Sequence, residues 1–169
     1  MIGSPQLAYI ALGANLGDAQ RTVLCAMDCL REWSDYPLRP SSLWRTEPVD
    51  CPPGSPPFIN AVVGLIPRAG EQPESLLVKL QTLERAFGRQ PKRIHNEPRP
   101  LDLDLIAFGS AVRQTATLIL PHPRAHTRSF VLQPLSEIAP DLVLPGQVKT
   151  VAELLQTWPP TPGLWRCEH

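Results

Sequence analysis

The chain is poor in the features that commit a sequence to several common roles. It has only four cysteines in 169 residues, Cys25, Cys29, Cys51 and Cys167. None form a C-x-x-C or Cys/His ligand pattern, so free thiols in a reducing cytosol are expected rather than disulfides or a zinc site. The formal net charge is zero. A global basic field for nucleic acid or an anionic membrane is therefore missing. The early apolar run Leu7–Leu12 has no basic residues before it and is too short for a signal peptide or a membrane helix. No internal repeat is visible. These absences predict a cytoplasmic chain that binds neither nucleic acid nor membrane; a monomer is the expected state.

What is present is ordinary for a globular chain, at 43% hydrophobic and 19% charged residues. The length suits a single domain over residues 1–169 with a sizeable core. Proline is abundant, at 21 residues. Pro52, Pro53, Pro56 and Pro57 crowd one stretch, which reads as a long irregular connection within the domain.

Hydrophobic periodicity sets the elements. Leu7–Gly13 reads as a buried strand. Asp18 can cap a helix to about Trp33, with Val23, Leu24, Met27, Leu30 and Trp33 on its apolar face. Pro37–Arg45 leads into a second strand, and Phe58–Ile66 forms a third. Pro73 suits the first turn of a second helix, which carries Leu76, Leu77, Leu80, Leu83 and Phe87 inward and stops at Gly88. Leu101–Phe108 is a fourth strand, followed by an extended stretch near Ala111–Thr115. Two helical pieces are expected near Gln133–Ile138 and Val151–Trp158. The order β-α-β-β-α-β predicts an α+β fold, a ferredoxin-like sandwich with long active-site loops and helices covering one sheet face.

The fourth strand carries the clearest chemistry. In Leu101-Asp102-Leu103-Asp104-Leu105, polar and apolar residues alternate. Residues two apart share a face, so Asp102 and Asp104 point the same way with Cα atoms about 7 Å apart. The three leucines then face a core. A D-x-D can be the wet face of any amphipathic strand. Here it follows a basic loop with Arg89, Lys92, Arg93, His95 and Arg99. Carboxylates for hard cations beside guanidiniums for phosphate oxygens suit a metal–polyphosphate complex. In two-metal sites the cations lie about 3.5–4 Å apart.

Five blocks extend this reading. They are Tyr9–Asp18; Thr46-Glu47-Pro48 with Phe58–Val62; Leu83–Arg89; Pro98–Ile106; and Leu120–Arg124 with Arg128–Leu132 and Pro134–Pro140. In this order they resemble the signature of the 6-hydroxymethyl-7,8-dihydropterin pyrophosphokinases. That resemblance implies Mg²⁺-dependent transfer of pyrophosphate from ATP to the hydroxymethyl group of the pterin, with release of AMP, in folate biosynthesis. It implies that Asp102 and Asp104 bind two Mg²⁺ ions, and that Arg89 and Arg99 join them in catalysis. It further implies nucleotide contacts from Gln81, Arg89, Arg93, Arg99, His122 and Arg128, with Glu84 near the nucleotide and the metal strand. The pterin would be read by Thr46, Glu47, Val49 and Asn60 and stacked by Phe58 and Phe130. A pyrimidinone edge needs both a donor and an acceptor, which an asparagine offers. Glu97, Asn96 and Pro91 depart from the usual family residues, and Pro123 replaces an aromatic seen in some members.

Two other classes share parts of this pattern. A two-metal nucleotidyltransferase would transfer AMP instead of pyrophosphate. A ferredoxin-like RNA-binding module would need exposed aromatics on its central strands, where this chain offers carboxylates.

Overall fold

The structure is a computed structural model that describes residues 6–48, 51–89, 100–159 and 161–167. Strand β1 (Ala8–Ala14) leads through helix α1 (Ala19–Arg31) to two short strands, β2 (Arg39–Pro40) and β3 (Trp44–Thr46). Strand β4 (Phe58–Leu65), helix α2 (Pro73–Ala86) and strand β5 (Asp102–Phe108) follow. A small hairpin, β6 (Arg113–Gln114) and β7 (Ile119–Leu120), precedes helices α3 (Ser129–Ile138) and α4 (Val151–Gln156) and the last strand, β8 (Leu164–Arg166).

The main sheet is antiparallel, in the order β5-β1-β4-β3-β8, with β2 also paired to β4. The expected second strand is thus broken into two pieces. Ser41 lies at the break. Its N–H donates to the Val62 carbonyl at 2.9 Å, and its hydroxyl accepts from the Val62 N–H at 3.0 Å. The side chain replaces a backbone acceptor, so pairing with β4 continues while the strand itself is interrupted.

Alternation along the strands produces two cores. Ile10, Leu12, Leu101, Leu103 and Leu105 pack with Met27 and Leu30 of α1 and with Leu76 and Leu80 of α2. Tyr9, Val62 and Ile106 point the other way and pack with Val131, Leu132 and Leu135 of α3 and with Val151 and Leu154 of α4. Helices therefore cover both sheet faces, where the sequence predicts one. The second layer comes from the tail, whose helical pieces looked short. Pro134 is the reason. It reads as a residue of a first helical turn, yet it lies inside α3, which begins at Ser129.

The caps follow the local chemistry. The Asp18 side chain accepts from the Arg21 N–H at 3.2 Å and starts α1. On α1, Val23, Ala26, Met27 and Leu30 are buried, whereas Leu24 is 49% exposed. Leu24 falls beside the i, i+4, i+7 stripe of Val23, Met27 and Leu30, a full 100° step from its first member. Pro73 occupies the first turn of α2. Gly88 ends that helix at φ +95°, a left-handed turn that glycine adopts without a Cβ penalty. Among the described residues, no helix is long and apolar enough to cross a membrane.

Candidate active site

The site is built on the sheet face that looks toward α3. Asp102 of β5 stands opposite Gly13 of β1, and Gly13 stands opposite Asn60 of β4. One row further along, Asp104 is opposite Ala11 and Ala11 is opposite Val62. Neighbouring strands lie ≈4.8 Å apart, so the carboxylate strand and the Asn60 strand are about 10 Å apart across a floor of two small residues. A depression over this floor is lined by Gly13, Asn60, Asp102, Asp104, Phe130 and Val131.

Gly13 is a site residue that sequence reading assigned only to the end of a strand. It lies inside β1. A Cβ there would come within 3.2 Å of Asn60 Oδ1. The signal was available in principle, because a glycine within a strand often marks close approach by another group.

Asp102 and Asp104 share the open face, while Leu101, Leu103 and Leu105 behind them are at most 4% exposed. The expected two-faced strand is therefore present. Asp102 is bound by the guanidinium of Arg89, with Nη1 at 2.5 Å from Oδ1. The same nitrogen also donates to Glu84 Oε2. The turn at Gly88 explains this geometry. It folds the chain back so that the Arg89 N–H reaches the Glu84 carbonyl at 3.1 Å, and the side chain follows toward β5.

Glu84 is buried, at 8% exposed, and its Oε2 accepts from the Leu103 N–H at 2.9 Å. It thus anchors α2 to the carboxylate strand between the two aspartates. Burial pushes its carboxyl up to about 7, and the neighbouring Asp102 charge adds to the rise. The Leu103 N–H and Arg89 oppose it. Burial acts to lower the Arg89 pKa, but Asp102 and Glu84 together raise it. One guanidinium serves two carboxylates, so a proton favours the buried one.

His122 lies along the outer edge of β5. Its N–H donates to the Ile106 carbonyl at 2.8 Å, and its Nδ1 accepts from the Arg124 N–H at 3.1 Å. Burial first, then the positive charges of Arg128 and Arg124, lower the imidazole to about 4 against the opposing charge of Asp102. The ring is neutral at pH 7, with Nε2 as its donor. Arg128 precedes α3, and its guanidinium carbon lies 5.5 Å from the ring centroid of Phe130. Phe130 is 37% exposed on the first turn of α3. Gln81 is exposed on α2, three residues before Glu84.

On the other side of the floor, the Asn60 amide donates to Thr46 Oγ1 at 2.9 Å. Asn60 is 7% exposed, so this partner matters. Phe58, two residues earlier on β4, is half-buried and paired in register with Thr46. Glu47 is exposed and forms an ion pair with Arg45 at 3.8 Å. Asn15, also buried, donates to the Pro56 carbonyl at 3.3 Å and ties the end of β1 to the proline-rich connection. Val49, Arg93 and Arg99 lie outside the described residues, as do Pro91, Asn96 and Glu97.

A sequence model described as 7,8-dihydro-6-hydroxymethylpterin-pyrophosphokinase matches residues 9–140. The chain belongs to this family. It is 37% identical over 166 residues to a 2-amino-4-hydroxy-6-hydroxymethyldihydropteridine pyrophosphokinase of Synechocystis, covering 93% of this chain and 82% of the relative. A pyrophosphokinase of the same name from Haemophilus influenzae is 37% identical over 150 residues, with 88% and 91% covered. The folic acid synthesis protein fol1 of Pneumocystis carinii is 38% identical over 151 residues, but the match spans only 20% of that longer protein. Among solved structures, the wild-type HPPK-DHPS of Plasmodium falciparum with pteroate has a TM-score of 0.68 at 14% identity. The alignment covers 90% of this chain and 42% of that one. This likeness bears on the fold. The matched segment of this pyrophosphokinase family member contains every site residue named above.

Proposed function

We propose that this pyrophosphokinase transfers the β- and γ-phosphates of ATP, as one unit, to the hydroxymethyl oxygen of 6-hydroxymethyl-7,8-dihydropterin. The observation that carries the reading is the Asp102–Gly13–Asn60 row. With Asp104 one row further along, it supports reading a carboxylate pair for the triphosphate and an amide for a heteroaromatic edge on one sheet face, about 10 Å apart. The family relation supports the substrate assignment.

The donor set fits magnesium. This ion keeps several waters and takes one or two carboxylates plus phosphate oxygens, which is what a pair on an open face provides. Asp102 and Asp104 would hold it, as two ions. Bound there, magnesium would neutralise phosphate charge. Arg89 is already beside Asp102, and its fork retains N–H donors beyond the two of Nη1. Arg99 and Arg93, in the basic stretch of sequence between α2 and β5, are assigned to the phosphates, as is Arg128. The neutral His122 offers Nε2–H to the nucleotide, with Gln81 nearby on α2. Asn60, fixed by Thr46, reads the pterin edge with Glu47 and Val49, and Phe58 and Phe130 stack on its faces. The pterin oxygen forms a bond to the β-phosphorus while the bond from that phosphorus to the α–β bridging oxygen breaks. AMP leaves and the hydroxyl proton is lost. The protein's part is positioning and charge compensation.

We further read β5-β1-β4-β3 as the ferredoxin-like order, supported by α1 and α2 on one face. Strand β8 and the α3–α4 layer are then additions. The reading takes the chain to work as a cytoplasmic monomer on two small molecules.

The test is ³¹P NMR of the protein with ATP, Mg²⁺ and the pterin alcohol. AMP together with a pterin diphosphate ester is the expected outcome. Release of inorganic pyrophosphate with an adenylated product would establish a nucleotidyltransferase instead.

A further inference from the structure

We propose that Gly163 and strand β8 hold the pterin-reading strand β3 in place, which makes Gly163 a positioning residue for the second substrate. The inference rests on the reading of Asn60 and Thr46 as the pterin edge.

The family match ends at residue 140, yet the chain returns to the site beyond it. Strand β8 pairs with the outer side of β3, with Trp44 opposite Arg166, Arg45 opposite Trp165 and Thr46 opposite Leu164. Both ends of this ladder are closed by further bonds. The Glu47 N–H donates to the Gly163 carbonyl at 2.9 Å, and the Cys167 N–H donates to the Leu43 carbonyl at 2.8 Å. Across the pair, the Arg45 guanidinium lies 5.6 Å from the Trp165 ring centroid. Strand β3 has only three residues, and Thr46 is its last before the proline-rich connection. Without β8 it would be a short edge strand, held from one side only. The Thr46 hydroxyl that fixes the Asn60 amide would then rest on the most easily frayed position of the sheet.

Gly163 sets this arrangement for two separate reasons. Its φ of +76° is in the left-handed region. A Cβ at this position would also come within 3.0 Å of Glu47 Cβ and Cγ. Any side chain here pushes directly on the residue that follows Thr46. Gly146 supplies a matched control. Its φ is +81°, but nothing lies within 4 Å of a Cβ built on it.

The experiment compares Gly163→Ala with Gly146→Ala in the full chain. Calorimetry measures the affinity for an unreactive ATP analogue with Mg²⁺, and then for the pterin alcohol in its presence. Both variants carry the same kind of backbone strain and should lose thermal stability, Gly163→Ala the more because of its added contact with Glu47. Only Gly163→Ala should weaken pterin binding, on the order of tenfold, with nucleotide affinity unchanged. Trp165→Ala, which spares the backbone, should weaken the pterin in the same selective way and serves if the glycine variant fails to fold. Pterin affinity in Gly163→Ala equal to that of Gly146→Ala overturns the proposal, as does equal weakening of both ligands. Thr46→Val separates the two levels. If it weakens the pterin while Gly163→Ala does not, the edge reading stands and the positioning role falls. If neither variant weakens the pterin, both fall.

Discussion

Glu84 is buried and His122 half-buried, and in both desolvation shifts the group away from the charged form. Glu84 has a folded pKa near 7 against an ordinary value of 4.5. Its carboxyl is protonated in the folded state where the unfolded chain has already ionised. Stability from this group is full below about 4.5 and is lost as pH rises toward 7. In Glu84→Gln that loss should vanish, so the wild-type-minus-variant stability should fall across this window in urea titrations. The amide oxygen can take the place of Oε2, which accepts from both Arg89 and the Leu103 N–H, so the variant keeps these hydrogen bonds. A difference curve flat from pH 4.5 to 7 would assign the shift to another group. His122 acts with the opposite sign. Its folded pKa is about 4 against 6.5, so its stability is present above 6.5 and lost as pH falls toward 4. Nucleotide affinity should accordingly show no histidine inflection near pH 6.5. His122→Gln places a donor near Nε2 and should retain more affinity than His122→Asn, which mimics Nδ1. The reverse ranking would show that the Nδ1 contact with the Arg124 N–H is what matters.

Strand β5 has one buried face and one open face, and under the proposed function the effects of the two should separate by mutation. Leu103 packs against α1 and α2 at 4% exposure. Leu103→Ala should lower stability by about 2–5 kcal/mol with little change in turnover per folded molecule. Asp104 faces the depression, so Asp104→Ala should keep the fold and lose about 10³-fold or more in rate, as for a key electrostatic stabiliser. Chemical denaturation and steady-state kinetics together read both effects, and an active Asp104→Ala enzyme would end the metal assignment. The same alternation explains why this strand was legible in the sequence: period-two patterning over Leu101–Leu105 settles both the element and its faces. Strand β4 and helices α1 and α2 were legible for the same reason, through sustained period, an Asp18 cap and a Gly88 stop. Strand β8 was not, because three residues after a proline-rich stretch carry no period. The split of β2 from β3 depends on the Ser41 hydroxyl, a tertiary hydrogen bond with no local pattern. The start of α3 was hidden by Pro134. Within the site, the aspartates and Asn60 could be named from strand and family pattern. Gly13 and the bridge from Glu84 through Arg89 to Asp102 depend on which strands become neighbours, and that emerges only in the folded sheet.

At the scale of the molecule, the proposed function puts two binding regions on one floor of the sheet. The carboxylates and Arg89 come from β5 and the end of α2, whereas Asn60 and Thr46 come from β4 and β3, with Gly13 and Ala11 of β1 between them. A ligand that binds only the folded state stabilises it by about 2.7 kcal/mol at a concentration of 100 Kd. Each ligand should therefore raise the melting temperature through its own side of the sheet. For a chain of this size the rise should be several degrees, given roughly 2–4 °C per kcal/mol for 150–250 residues. An unreactive ATP analogue should require Mg²⁺ for its full shift, and Asp104→Ala should lose that Mg²⁺-dependent part. The further shift given by the pterin alcohol should survive in Asp104→Ala and disappear in Asn60→Ala, since a buried polar edge left unpaired costs about 1–3 kcal/mol. Differential scanning fluorimetry of the two variants with each ligand gives the four values needed. If Asn60→Ala also loses the Mg²⁺-dependent nucleotide shift, Asn60 supports the floor as a whole and the two regions are not separable. If Asp104→Ala retains that shift, the nucleotide is held without the carboxylate pair, and the arginines alone must account for its binding.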